Sequence, residues 1–315
     1  MLTINDILVA RDFSLVSDRA VRHGLDLAAH TGATLHLLHA EVLHDVEKRT
    51  EESPTPGDGL NAFRERLKED GIASAEALNG VPVKEVVRRD VSPGPALLNY
   101  AAEEDIDLIA MGTHGRQGPS RVLLGSVAEE VVRRARQPVL TVRGKEEEGR
   151  TPTPGRIDRI LVPIDFSDYS REALRYAQKW ADLYDASIDV LHVVEQDLHP
   201  AFYVGGVKSI YDAQPDLDQK VTTKLREFVD DVLGTNEGVE PHVATGSAPS
   251  AITQFVEENE VDLVTLSTHG RTGMDRFFLG SVAEKVVRHV SCPVLTVKAF
   301  GKSLVSQATA TSAAA

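Results

Sequence analysis

"DLIAMGTHGRQGPSRVLLGSVAEEVVRRARQPVLTV", residues 107–142, is the stretch on which the fold turns. It opens on a short apolar run, "DLIAM", of the kind buried on both faces of a sheet, and closes on another, "PVLTV". Between them "VAEEVVRRARQ" spaces its apolar residues as a helix does. Strand, helix and strand in that order form a parallel crossover. The connection from strand to helix, "GTHGRQGPSRVLLGS" (112–126), starts on glycine and ends on Gly-Ser. It reads either as a turn rich in punctuation residues or as a cradle for phosphate.

The chain carries this stretch twice, because "STHGRTGMDRFFLGS" stands at 267–281 with Ser267 in place of the leading glycine. Gly112 to Arg143 aligns with Ser267 to Lys298 without a gap, and about twenty positions are identical, too many for chance. Upstream, "ILVARDFS" (7–14) matches "ILVPIDFS" (160–167), and "LHLLHAEV" matches "IDVLHVVE". The repeat is therefore a whole domain rather than a solenoid unit. The expected organisation is a first domain over 1–143, a linker over 144–156, a second domain over 157–300 and a disordered tail over 301–315. The linker contains "GKEEEGRTPTPG", charged and rich in glycine and proline, and the tail lacks apolar periodicity.

Within each copy, strand-like and helix-like segments alternate. In the first copy the strands are read at "DILVA", "TLHLLHA", "KEVVRRDV", "DLIAMG" and "PVLTVR". The helices fall at "SDRAVRHGLDLAAHTG", stopping near Gly32, at "NAFRERLKEDG", at "PALLNYAAEED" and from Ser126. Five strands alternating with four helices give an α/β fold with a parallel sheet covered on both faces. Ligands of such sheets lie beyond the carboxyl ends of the strands, where strand order reverses. If the first and fourth strands are neighbours, "ARDFS" and the glycine motif line one crevice.

The motif is G-x-x-G-x9-G-S: Gly112, Gly115, Gly125 and Ser126. It lacks the Gly-Lys-Ser/Thr ending of a P-loop and the compact spacing of a dinucleotide fingerprint. Its physical logic is nonetheless that of an anion site. Glycines let backbone amides approach phosphate, a helix opening at Gly125-Ser126 presents unpaired N–H groups, and Arg116 and Arg121 add charge. The bland reading stands beside it: "SVAE" at 126–129 and 281–284 is a capping-box pattern, with Ser at the N-cap and Glu three residues on. The two readings are compatible.

"ILVPIDFS", "DLIAMGTHGR" and "LLGSVAEEVVRRARQPVLTV" resemble the universal stress protein family in its tandem two-domain form, over almost the whole chain apart from linker and tail. The resemblance implies a Rossmann-like (adenine nucleotide α-hydrolase-like) fold in each half, a five-stranded parallel sheet of order 3-2-1-4-5. It also implies ATP, with Mg2+, as ligand. Asp12 and Asp165 match the family's aspartate near ribose and adenine, and Ala40 and Val193 the adenine-contacting position after strand two. Gly112, Gly115, Gly125 and Ser126, followed by Val127, match the phosphate-binding positions of the first half. Ser267, Gly270, Gly280, Ser281 and Val282 do so in the second. Ala10 and Pro163 hold the position of the family's proline after strand one. His114, Arg116 and Arg271 fall within the motif loops as ligand-lining candidates. The departures are Ala10, Val91 where glycine is frequent, and Ser267, whose Cβ would be strained if its φ were positive. The first half ranks as the better nucleotide site. In the family the last strands pair across a two-fold axis, so the two halves are expected to dock as a pseudo-dimer, and a homodimer of whole chains is compatible with the sequence.

The formal net charge of -14 argues against a nucleic-acid or anionic-membrane surface, and no apolar stretch is long enough to span a membrane. A single cysteine, Cys292, fits a reducing compartment and reads as a buried hydrophobe, and no secretory signal is visible, so cytoplasm is the default. His39 and His192 recur at the end of strand two, with His36 and His44 nearby, and read as structural rather than as zinc ligands. The function expected is an ATP-binding regulatory or stress-response protein without committed turnover. The rival classes are an ATP-dependent enzyme such as a slow ATPase, for which the sequence supplies no positioned base or acceptor pocket beyond His114 and two Asp residues, and a nucleotide-free adaptor whose motifs survive as helix caps.

Overall fold

The computed structural model describes residues 3–42, 55–69, 75–113, 124–143, 156–195, 216–268 and 279–298, with Lys302 and Leu304. The first half runs β1 (Asp6–Ala10), α1 (Leu15–Thr31), β2 (Thr34–Val42), α2 (Leu60–Glu69), α3 (Ala75–Gly80), β3 (Val83–Asp90), α4 (Pro93–Glu103), β4 (Leu108–Gly112), α5 (Ser126–Arg134) and β5 (Val139–Val142). The second runs β6 (Arg159–Pro163), α6 (Asp168–Tyr184), β7 (Ser187–Val194), α7 (Leu217–Leu233), β8 (Val239–Thr245), α8 (Ala248–Glu258), β9 (Leu263–Ser267), α9 (Ser281–His289) and β10 (Val294–Val297). The short α3 is an addition to the four helices per half read from sequence. The linker lies almost entirely outside the described residues.

All ten strands form one sheet, in the order β3-β2-β1-β4-β5-β10-β9-β6-β7-β8. Each half thus has its first strand between its second and fourth, with the reversal of order falling between β1 and β4, and between β6 and β9. Every pairing within a half is parallel, and the seam between halves, β5 against β10, is antiparallel. Leu140 lies opposite Leu295, and hydroxyls reinforce the ladder: Thr141 Oγ1 donates to the Val294 carbonyl (3.2 Å) and Thr296 Oγ1 to that of Val139 (3.1 Å). Basic side chains cross the seam reciprocally. Arg143 Nη1 donates to the His289 carbonyl at the end of α9 (2.5 Å), and Lys298 Nζ to the Arg133 carbonyl at the end of α5 (2.6 Å). Each places a cation where the helix dipole is negative.

Two apolar layers cover the sheet, and both run through the two halves. One gathers Ile7, Val9, Leu25 and Leu35 of the first half with Ile160, Val162, Trp180 and Leu225 of the second. The other gathers Leu8, Ile109, Val131 and Val132 with Leu161, Val264, Val286 and Cys292. Cys292 is buried, and burial pushes its thiol up to about 12, so it behaves as the small hydrophobe expected.

Local chemistry explains the long helices. Ser14 caps α1, accepting from the Ser17 amide, and Gly32 ends it in the left-handed region at φ 75°. Ser167 caps α6 through the Ser170 amide, and Asp185 ends it at φ 57°.

Candidate functional site

The carboxyl ends of β1 and β4 lie side by side, since Val9 is opposite Ala110 in their parallel register. This brings Ala10, Asp12 and Gly112 to one end of the sheet. Ala10, Ala40 and Val127, from three elements, are half-buried and pack against the same apolar layer. Val193 and Val282 pack against that layer in the second half, where Pro163 and Asp165 are half-buried at the end of β6.

The entrance to α5 is built differently from a capping box. Gly125, not Ser126, is the N-cap, with φ -61° and ψ 143°, and Ser126 is the first helical residue and exposed. The Gly125 amide is drawn to the Thr113 carbonyl (2.8 Å), while the Thr113 amide is held by the Val142 carbonyl (2.9 Å). That clamp fixes Gly125 in extended backbone and starts the helix one residue earlier than the capping-box pattern suggests. No side chain caps the helix, and its first intrahelical bond runs from the Glu129 amide to the Gly125 carbonyl (2.9 Å). The amides of Ser126, Val127 and Ala128 precede that bond and so have no intrahelical acceptor. The second half repeats the arrangement: the Gly280 amide binds the Thr268 carbonyl (2.8 Å), Ser281 is exposed at the first position, and Glu284 turns to Arg288 (2.5 Å) instead of back to the cap.

Glycine at 280 is explained by close approach rather than by a positive φ. A Cβ there would lie 3.2 Å from the Thr268 carbonyl oxygen. Ser267 is the last residue of β9, opposite Val297, just as Gly112 ends β4 opposite Val142. Neither has a positive φ, so the backbone strain considered for Ser267 does not arise. The Val91 departure has a similar account. Gly246 has φ 114°, which favours glycine, whereas Val91 has no positive φ, donates its amide to the Asp90 carboxylate (2.6 Å) and is exposed.

Asp12 and Asp165 have a structural task that sequence reasoning missed. Asp12 Oδ1 accepts from the Ser14 amide (3.0 Å) and hydroxyl (2.6 Å), and Asp165 Oδ1 from the Ser167 amide (3.0 Å) and hydroxyl (2.5 Å). The residues between, Phe13 and Phe166, have φ 63° and 64°. A bulky side chain in this region costs on the order of 1–3 kcal/mol, and such strain concentrates where a turn must aim a functional group. Phe13 rests on His39 at a ring distance of 4.8 Å, and Phe166 on His192 at 4.7 Å. These histidines bond the carbonyls of Arg11 (2.8 Å) and Ile164 (2.7 Å), so they hold the turn, as the structural reading expected. The repeated "DFS" was the available signal. His36 is likewise held, between Tyr100 Oη (2.7 Å) and Asp6 (2.9 Å).

Arg11 is a buried cation that sequence reasoning left aside. Its guanidinium binds Asp18 (3.1 Å) and the Pro56 carbonyl (2.5 Å) and lies over Phe13 and Phe63. Ile164 takes its place in the second half. His114, Gly115, Arg116, Arg121, His269, Gly270 and Arg271 lie outside the described residues. One group at the far end of β7 and β8, Asp189, Glu240 and His242, holds its ligand-type atoms within 4.8 Å of one another. Arg159 takes both oxygens of Asp189, and His242 Nε2 shares one of them (2.7 Å), which is the pattern of an ion-pair network. Among the described residues no helix is long and apolar enough to cross a membrane.

Comparison with known proteins returns to the same two units. The model of the universal stress protein family matches residues 3–143 and 156–298. A universal stress protein of Mycolicibacterium smegmatis is 26% identical over 306 residues, covering 93% of this chain and 96% of its own length. A universal stress protein of Methanocaldococcus jannaschii is 32% identical over 145 residues, 44% of this chain and 81% of its own. Among solved structures, a universal stress protein from Archaeoglobus fulgidus superimposes with a TM-score of 0.62 at 21% identity, covering 94% of this chain and 97% of that one.

Proposed function

The chain belongs to the universal stress protein family, and from that premise we propose that it is a stress-related regulatory protein whose first half binds ATP, with Mg2+, as a signal rather than as a substrate for turnover. The observation that carries the reading is the convergence at the β1/β4 switch point. There Ala10, Ala40 and Val127 pack on one apolar layer, Asp12 follows the end of β1, and α5 opens with no side chain capping it. An adenine ring suits these apolar side chains, and the Asp12 carboxylate would accept from ribose hydroxyls. The amides of Ser126 to Ala128 suit a phosphate at a helix N-terminus. Mg2+ would travel with the phosphates.

The second half offers the same entrance at Gly280 and Ser281, with Ser267 in place of glycine, and ranks as the weaker site. Nucleotide released from denatured purified protein, identified by chromatography, together with calorimetric titration of ATP, tests the proposal. Adenine nucleotide in the supernatant and saturable binding are expected. Their joint absence overturns the proposal in favour of a nucleotide-free adaptor. Rapid multiple turnover of added ATP would instead establish an enzyme.

A further inference from the structure

At the amino-terminal edge of the sheet, opposite the crevice, Lys302 and Leu304 lie against the body of the protein. The Lys302 amide donates to the Arg136 carbonyl just beyond α5 (2.8 Å). Its ammonium lies 2.8 Å from Asp107 Oδ1 and 2.9 Å from Asp105 Oδ1 and donates to the Asp105 carbonyl (2.5 Å). Asp107 is buried, and its other oxygen accepts from the amides of Asn5 (2.6 Å) and Asp6 (3.1 Å), so this carboxylate is built into the fold. Two residues on, Leu304 is only 6% exposed and joins the apolar layer that contains Trp180 and Tyr176. Its amide donates to Tyr176 Oη (2.7 Å), and that hydroxyl reaches the Lys302 carbonyl (3.4 Å). The anchoring begins inside the segment expected to be a disordered tail.

This is two-point recognition. A cation meets a buried carboxylate, an apolar side chain enters a core, and a tyrosine hydroxyl joins the Leu304 amide to the Lys302 carbonyl. Without the segment, the buried Asp107 Oδ1 would lose its ammonium partner, and the space of Leu304 would be a gap beside Tyr176; both are costly. We propose that the junction of the two halves carries a peptide-binding socket for a Lys-x-Leu segment, filled in cis by Lys302 and Leu304. The occupant is a latch: it grips the carboxyl end of α5, whose other end opens on the first crevice, and the side of α6, which starts beside the second.

The test uses the full-length chain carrying Lys302→Ala and Leu304→Ala together, and a fluorescent peptide of residues 299–308. The double variant is expected to bind the peptide saturably. Wild type binds it at least about tenfold more weakly, because its own tethered segment competes at high effective concentration. Adding Tyr176→Phe to the double variant lowers peptide affinity roughly fivefold, through loss of one backbone acceptor. Failure of the double variant to bind, or equal binding of a peptide with both anchors changed to alanine, overturns the socket. If the variants do not fold, hydrogen exchange on wild type decides: slow exchange at the Lys302 and Leu304 amides is expected, and exchange at the unstructured rate overturns the latch.

Discussion

Gly112 and Ser267 occupy one repeat position in the same extended backbone, so a difference between them must come from what a side chain occupies at the crevice mouth. Gly112→Val introduces a branched side chain where none stands, and is expected to weaken ATP binding about tenfold, near 1.4 kcal/mol. Ser267→Val enlarges a side chain already present and is expected to cost less. Calorimetric titration of both variants checks the order, and equal losses would contradict the ranking of the halves. Ser14 invites a second substitution, because it both caps α1 and binds Asp12. Ser14→Ala is expected to remove about 1 kcal/mol of stability in urea denaturation. It should also weaken ATP binding, since the Asp12 turn loses its anchor. Unchanged affinity would show that the turn holds itself.

The four-residue strands β5 and β10 would be exposed edges if separate, and the seam is what buries them. Leu295→Ala, at a fully buried position on that seam, is expected to cost 2–5 kcal/mol in chemical denaturation. Much of this level was legible beforehand. The short apolar runs and the exact register of the repeat identified the strands, and Gly32 marked the end of α1. What escaped was decided by contacts distant in sequence. The start of α5 shifted from Ser126 to Gly125 as cap because the Thr113 carbonyl claims the Gly125 amide, which no local pattern announces. Phe13 and Phe166 adopt left-handed backbone because Asp, Ser and His partners hold the turn around them, whereas propensity alone forbids it. In the crevice, the residue types were readable, while the structural use of the aspartates was not. Leu304 was unreadable for the same reason: a lone apolar residue in a polar tail has no period, and its partner, Tyr176, is more than a hundred residues away.

Where α1 of the first half meets α6 of the second, Asp26 is buried between Tyr184 Oη (2.6 Å) and His30 (3.3 Å). His23, one turn away, is buried too, and burial pulls its imidazole down to about 4. The unfolded chain takes up that proton near pH 6.5, so stability is whole above pH 6.5 and falls as pH drops towards 4. The full loss is about 3 kcal/mol. His30 acts in the opposite sense. Its hydrogen bond to Asp26 raises its pKa, so its contribution is present below pH 6.5 and is lost as pH rises through the folded value. Denaturation midpoints measured across pH 4–8 are expected to show the acid limb flattened in His23→Gln. An unchanged limb would mean that His23 is not the group responsible.

The antiparallel seam also changes what dilution can do to this molecule. Two separate chains that share a sheet this way lose their partner as concentration falls, and their folding is then inseparable from mass action. Here β5 and β10 are covalently joined, so the local concentration of one half around the other is fixed by the chain itself. Docking of the two halves is intramolecular, and the ratio of the two kinds of crevice is held at one to one. Neither half must remain complementary to a copy of itself. That freedom is visible in the pairs Gly112/Ser267, Ala10/Pro163 and Arg11/Ile164, where each half has taken its own residue while the frame between them stayed in register.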